Sequence, residues 1–75
     1  PEAVQELVSR VAGVHAVSEI RSRGRPGEVF AELTIRVDPS MNVREAHRIA
    51  EEVERRLREV PGLRNVVVHV EPAER

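Results

Sequence analysis

Chemistry in this chain rests with three histidines and the carboxylates spaced close to them. In Val66-Val67-Val68-His69-Val70-Glu71-Pro72, side chains alternate between the two faces of an extended chain. Val66, Val68 and Val70 then share one face, and Val67, His69 and Glu71 the other. That alternation puts an imidazole and a carboxylate side by side, about 7 Å apart by the strand rise. Such a pair can share a divalent cation, and it can equally be a hydrogen-bonded pair on a wet sheet face. His47 and Glu51 are four residues apart, a helical spacing that lets them chelate one ion or pair on the helix surface. His15 reads as a solvated loop histidine. No serine stands near a base, and Gly24 and Gly27 flank Pro26 in a turn rather than in a phosphate-binding loop. The residues therefore point to binding, not catalysis.

These groups have to be positioned by a small scaffold. Seventy-five residues make one domain, 1–75, whose core leaves a thin stability margin that oligomerisation commonly supplements. Cysteine is absent, which rules out disulfides and thiolate metal sites. No apolar run nears the ~20 residues of a membrane span, so direct insertion of this segment is not expected. The start at Pro1-Glu2, without methionine, suggests a piece of a longer chain. The net charge of −1, with both signs interspersed and Phe30 the one Phe, Tyr or Trp, argues against a nucleic-acid partner.

The periodicity predicts two helices and three strands. Val4, Leu7, Val8 and Val11 recur at helical spacing, so residues 1–12 read as an amphipathic helix, with Pro1 in its first turn and Gly13 past its end. Residues 14–23 read as a strand with imperfect alternation, whose inward face the pattern does not assign. Gly24-Arg25-Pro26-Gly27 is a turn. In 29–38, Val29, Ala31, Leu33, Ile35 and Val37 share one face, and Phe30, Glu32, Thr34 and Arg36 the other. Asn42 caps a helix running to Val60, with Glu45 completing a capping box. Val43, Ala46, Ile49, Ala50, Val53, Leu57 and Val60 form its apolar stripe, and Pro61-Gly62 ends it. The last strand closes at Pro72.

The expected fold is thus α+β: an αββαβ two-layer sandwich of ferredoxin-like type. Its three-stranded mixed sheet has the second strand in the middle, antiparallel to the first and parallel to the third. Both helices cover one face. The uncovered face, with Phe30, Thr34, Val67, His69 and Glu71, is the expected dimerisation surface.

Three segments together resemble a known family. They are Gly13-Val14 leading into Ser18-Glu19-Ile20-Arg21-Ser22-Arg23, then Glu45-Ala46-His47, then His69-Val70-Glu71-Pro72. In order and spacing they resemble the cytoplasmic C-terminal domain of cation diffusion facilitator transporters. The resemblance implies a metallochaperone-like fold and a homodimer below the transmembrane domain of a divalent-metal/proton antiporter. It places the domain on the cytoplasmic side of a prokaryotic cell membrane. It further implies that a cation at the dimer interface modulates transport, with His47, His69 and Glu71 at metal-ligand positions. Ser18 and Thr34 stand where the family has histidines, and Glu19 where it has aspartate. The cation expected first is Zn²⁺. The surplus of carboxylates over imidazoles also suits the harder Mn²⁺ or Fe²⁺. The alternative is a stand-alone ferredoxin-like ligand-binding or subunit-assembly domain.

Overall fold

The computed structural model describes residues 2–74. Its elements are α1 (Glu2–Ser9), β1 (Ala16–Arg25), β2 (Glu28–Val37), α2 (Val43–Arg58) and β3 (Leu63–Pro72). The sheet order is β1-β2-β3, with β1 antiparallel and β3 parallel to the central β2. The predicted αββαβ order and mixed sheet are therefore found.

β2 buries its apolar face as expected: Leu33 and Ile35 are fully buried, and Ala31 and Val37 nearly so. Val8 and Val11 from the first segment and Ala50, Val53 and Leu57 from α2 join Leu33, Ile35 and Val37 in one cluster. Both helical segments thus pack on the same side of the sheet. Asn42 caps α2, its Oδ1 accepting from the Glu45 backbone N–H at 2.8 Å. Glu45 in the first turn and Arg55, Arg56 and Arg58 in the last complement the helix dipole. Val43 was placed on the apolar stripe, but at the first turn it is 84% exposed. The helix stops at Arg58, not Val60, with Glu59 as its cap.

α1 is shorter than the pattern suggests, ending at Ser9 rather than Ala12. The Ser9 hydroxyl donates back to the Glu6 carbonyl at 2.9 Å. The next backbone bonds run three residues back, Arg10 to Leu7 and Val11 to Val8, so the chain tightens out of the α-helix. Val11 stays buried from this turn, which explains why its spacing reads as helical. The role given to Pro1 lies outside the described residues. Gly13 follows at φ 94°, and a β-carbon there would fall 2.4 Å from Ile49 Cδ1. The left-handed backbone favours glycine here, and a β-carbon would also force the Ile49 side chain to move.

β1 resolves the imperfect alternation. Ser18 pairs with Thr34 and Arg21 with Glu32, so two residues of β1 stand where β2 has one. The extra residue makes a β-bulge, and Glu19 takes the left-handed φ of 55°. Val17 and Ile20 are three apart, yet both reach the core cluster. The hairpin closes through Pro26-Gly27, with Gly27 at φ 87°, as proline and glycine at the centre of a type II turn require. Among the described residues no helix is long and apolar enough to cross a membrane.

Candidate metal centre

The sheet face opposite the helices carries the polar residues of all three strands. The register sets Ser18, Thr34 and His69 in one row across the sheet, with Thr34 paired to Ser18 on one side and to His69 on the other. Neighbouring side chains in such a row stand about 5 Å apart. Around the row, Glu19, Arg21, Glu32, Thr34, His69, Val70 and Glu71 line a depression of about 360 Å³.

Each of the three acids lining the depression, Glu19, Glu32 and Glu71, has a partner. His69 Nε2 lies 2.7 Å from Glu32 Oε2, diagonally across β2 and β3. This contact and the nearby Arg21 and Arg23 charges hold the Glu32 carboxyl below the ordinary carboxylate range, against a smaller opposing effect of burial. Thr34 Oγ1 donates to Glu19 Oε1 at 2.9 Å, a geometry the left-handed Glu19 makes available. Arg36 Nη1 donates to Glu71 Oε1 at 2.9 Å. Ser18 Oγ is buried without a hydrogen-bond partner.

The expected ligands are therefore placed as follows. His69 and Glu71 share the predicted face, but each is engaged with a different residue of β2. His47 sits on α2 with its Nε2 3.1 Å from Glu51 Oε2 and both side chains exposed, so the predicted i,i+4 pair comes together. The helical layer lies on the other side of the sheet, and the structure does not bring His47 to His69. Among the described residues no three His, Cys, Asp or Glu side chains gather as one metal site. His69 and Glu32 supply two of the four or more ligands a divalent cation takes. Their donor chemistry fits, and completion requires ligands from outside the subunit's own cluster.

Glu32 is the residue the sequence reasoning left out. Alternation put it on the open face of β2, but only the β2–β3 register shows that it reaches His69. Thr34 was placed on an exposed surface and is instead 3% exposed, covered between its two neighbouring strands. Phe30 is half-buried, with the Arg23 guanidinium 5.4 Å from its ring centre. Val67 remains 37% exposed. Val70, assigned to the core face, is 38% exposed on the edge strand β3.

An open polar sheet face bearing an imidazole–carboxylate pair, with two helices behind it, is the architecture of a metallochaperone-like module. A family profile described as "cation efflux protein, cytoplasmic domain" matches residues 1–73. The chain belongs to this family, the cytoplasmic C-terminal domains of cation diffusion facilitator transporters. It is similar to the uncharacterized transporter YdbO of Bacillus subtilis, 35% identical over 95% of this chain and 24% of the relative. The manganese efflux system protein MneS of the same organism is 31% identical over 96% and 25%. The chain thus spans about a quarter of the length of these curated relatives. Among solved structures, a nickel form of the MamM C-terminal domain superposes with a TM-score of 0.89 at 30% identity, covering 97% of this chain and 94% of that one. A cadmium form gives 0.89 at 31% identity, covering 97% and 92%.

Proposed function

We propose that residues 1–75 form the regulatory and dimerisation module of a divalent-cation efflux transporter. The module joins a transmembrane domain on the cytoplasmic side of a prokaryotic cell membrane, and binding rather than catalysis is its work. A cation bound at the interface of two copies favours transport by proton antiport. The observation that carries this reading is the His69–Glu32 pair at 2.7 Å on the sheet face the helices leave open. Two such faces brought together double the donors and can complete a coordination shell that one subunit leaves at two. Glu71 and His47 join from the same or the partner chain. The bound ion supplies charge that draws carboxylates of two subunits together.

The ion is Zn²⁺ or a harder cation of the Mn²⁺ or Fe²⁺ type. One imidazole among several carboxylates favours the harder ions, and MneS is named for manganese. Calorimetric titration of Zn²⁺ and Mn²⁺ into the wild type, His69→Ala, Glu32→Ala and Glu71→Ala tests the site. His69→Ala and Glu32→Ala are expected to weaken the tightest site at least about tenfold, the range seen on loss of an important metal-site group. Unchanged affinity in both variants would leave the face as a dimerisation surface without metal.

A further inference from the structure

The proposed site already holds a cation of its own. Arg36 and Glu71 are register partners on β2 and β3, so strand pairing itself sets them opposite each other. The guanidinium donates to Glu71 Oε1 at 2.9 Å, with the Arg36 side chain 30% exposed and Glu71 51%. Glu71 stands two residues from His69 on the same strand face. The guanidinium occupies Oε1 of Glu71, so an ion ligated by both His69 and Glu71 competes with Arg36 for the carboxylate's charge and orientation. Arg21 lines the same depression and places a second positive charge near Glu32. A divalent cation entering here meets a Glu71 carboxylate already paired with a guanidinium.

Resting on the metal-binding reading above, we propose that Arg36 is a built-in competing cation: it holds Glu71 away from His69 and sets the metal concentration at which the domain responds. Arg36 is a positioning residue in this scheme and acts through Glu71. One positive charge leaves the carboxylate as another arrives, so the domain stays metal-free until the cation is abundant enough to displace the guanidinium. That property suits a sensor of excess metal better than a tight store.

The test is a thermodynamic cycle by titration calorimetry with MnCl₂ and ZnCl₂ on the wild type, Arg36→Gln, Arg36→Lys, Glu71→Gln and the Arg36→Gln/Glu71→Gln double variant. Arg36→Gln is expected to tighten binding about threefold, the scale of a half-exposed ion pair. Arg36→Lys, which keeps a competing charge, stays near the wild type. In the Glu71→Gln background the Arg36→Gln effect disappears. Thermal melts establish that each variant is folded, and Arg36→Thr, which suits a central strand, replaces Arg36→Gln if the latter is not. Binding that appears only when the Arg36 charge is removed, in Arg36→Gln and not in Arg36→Lys, also supports the proposal. Unchanged or weaker binding in Arg36→Gln overturns it, as does absence of binding in every variant. Equal tightening with and without Glu71 overturns it too, because the effect is then only the loss of one positive charge. Failure of the metal reading itself shows separately, as affinity indifferent to His69 and Glu32.

Discussion

At the scale of single residues, the row Ser18–Thr34–His69 governs what the open face can bind. Only His69 of the three offers a nitrogen, and the register places Ser18 two strands away with Thr34 between them. Ser18→His puts a second imidazole at a position where the present hydroxyl is buried and unpartnered. This variant is expected to raise Zn²⁺ affinity more than Mn²⁺ affinity, since nitrogen ligands favour the softer ion; paired calorimetric titrations read the difference. Proton competition belongs to the same scale. Protons compete with either ion for the imidazole nitrogen, so binding of both is expected to weaken on acidification. His15→Ala, outside the cluster, leaves affinity unchanged. The sequence showed His69, Glu71 and their shared face through alternation alone. It could not show Glu32 diagonally across from His69 or Arg36 opposite Glu71, because alternation fixes faces but leaves the pairing of parallel strands free.

The elements were legible wherever a pattern runs unbroken, as in β2 and α2. They were least legible where one residue changes the phase. β1 is such a case: the bulge at Glu19 lets Val17 and Ile20 both turn inward, and no alternation survives it. α1 is another, because Val11 keeps a helical spacing while sitting in a tighter turn. The turn depends on Gly13, whose left-handed φ of 94° strains any side chain and whose closeness to Ile49 would also push the Ile49 δ-methyl aside. Gly13→Ala is expected to destabilise the fold by about 2 kcal/mol, the scale of a left-handed alanine. For a domain of this size that lowers the melting temperature by roughly 8–16 °C, measured by circular dichroism. In α2, Glu52 bonds Arg55 and Arg56, which hold its carboxyl down to about 2 from the ordinary 4.5. A carboxyl lowered by folding stabilises above its ordinary value and loses that contribution as pH falls toward its folded value. Stability is therefore expected to decline between pH 4.5 and about 2, and less steeply in Glu52→Gln. Urea titrations at several pH values resolve the two slopes.

For the whole molecule, the two-layer arrangement leaves one sheet face uncovered by helix, and that face holds both the polar cluster and exposed Val67. Dimerisation and metal binding are consequently expected to be one linked equilibrium: an ion that needs donors from two subunits stabilises the dimer by its binding free energy. Sedimentation velocity of the wild type and His69→Ala across a concentration series, with and without Mn²⁺ or Zn²⁺, tests this linkage most directly. The account predicts a weak dimer without metal, a dimerisation constant tightened by metal in the wild type, and no tightening in His69→Ala. A strict monomer at every concentration, or a metal response that persists undiminished without His69, would contradict it.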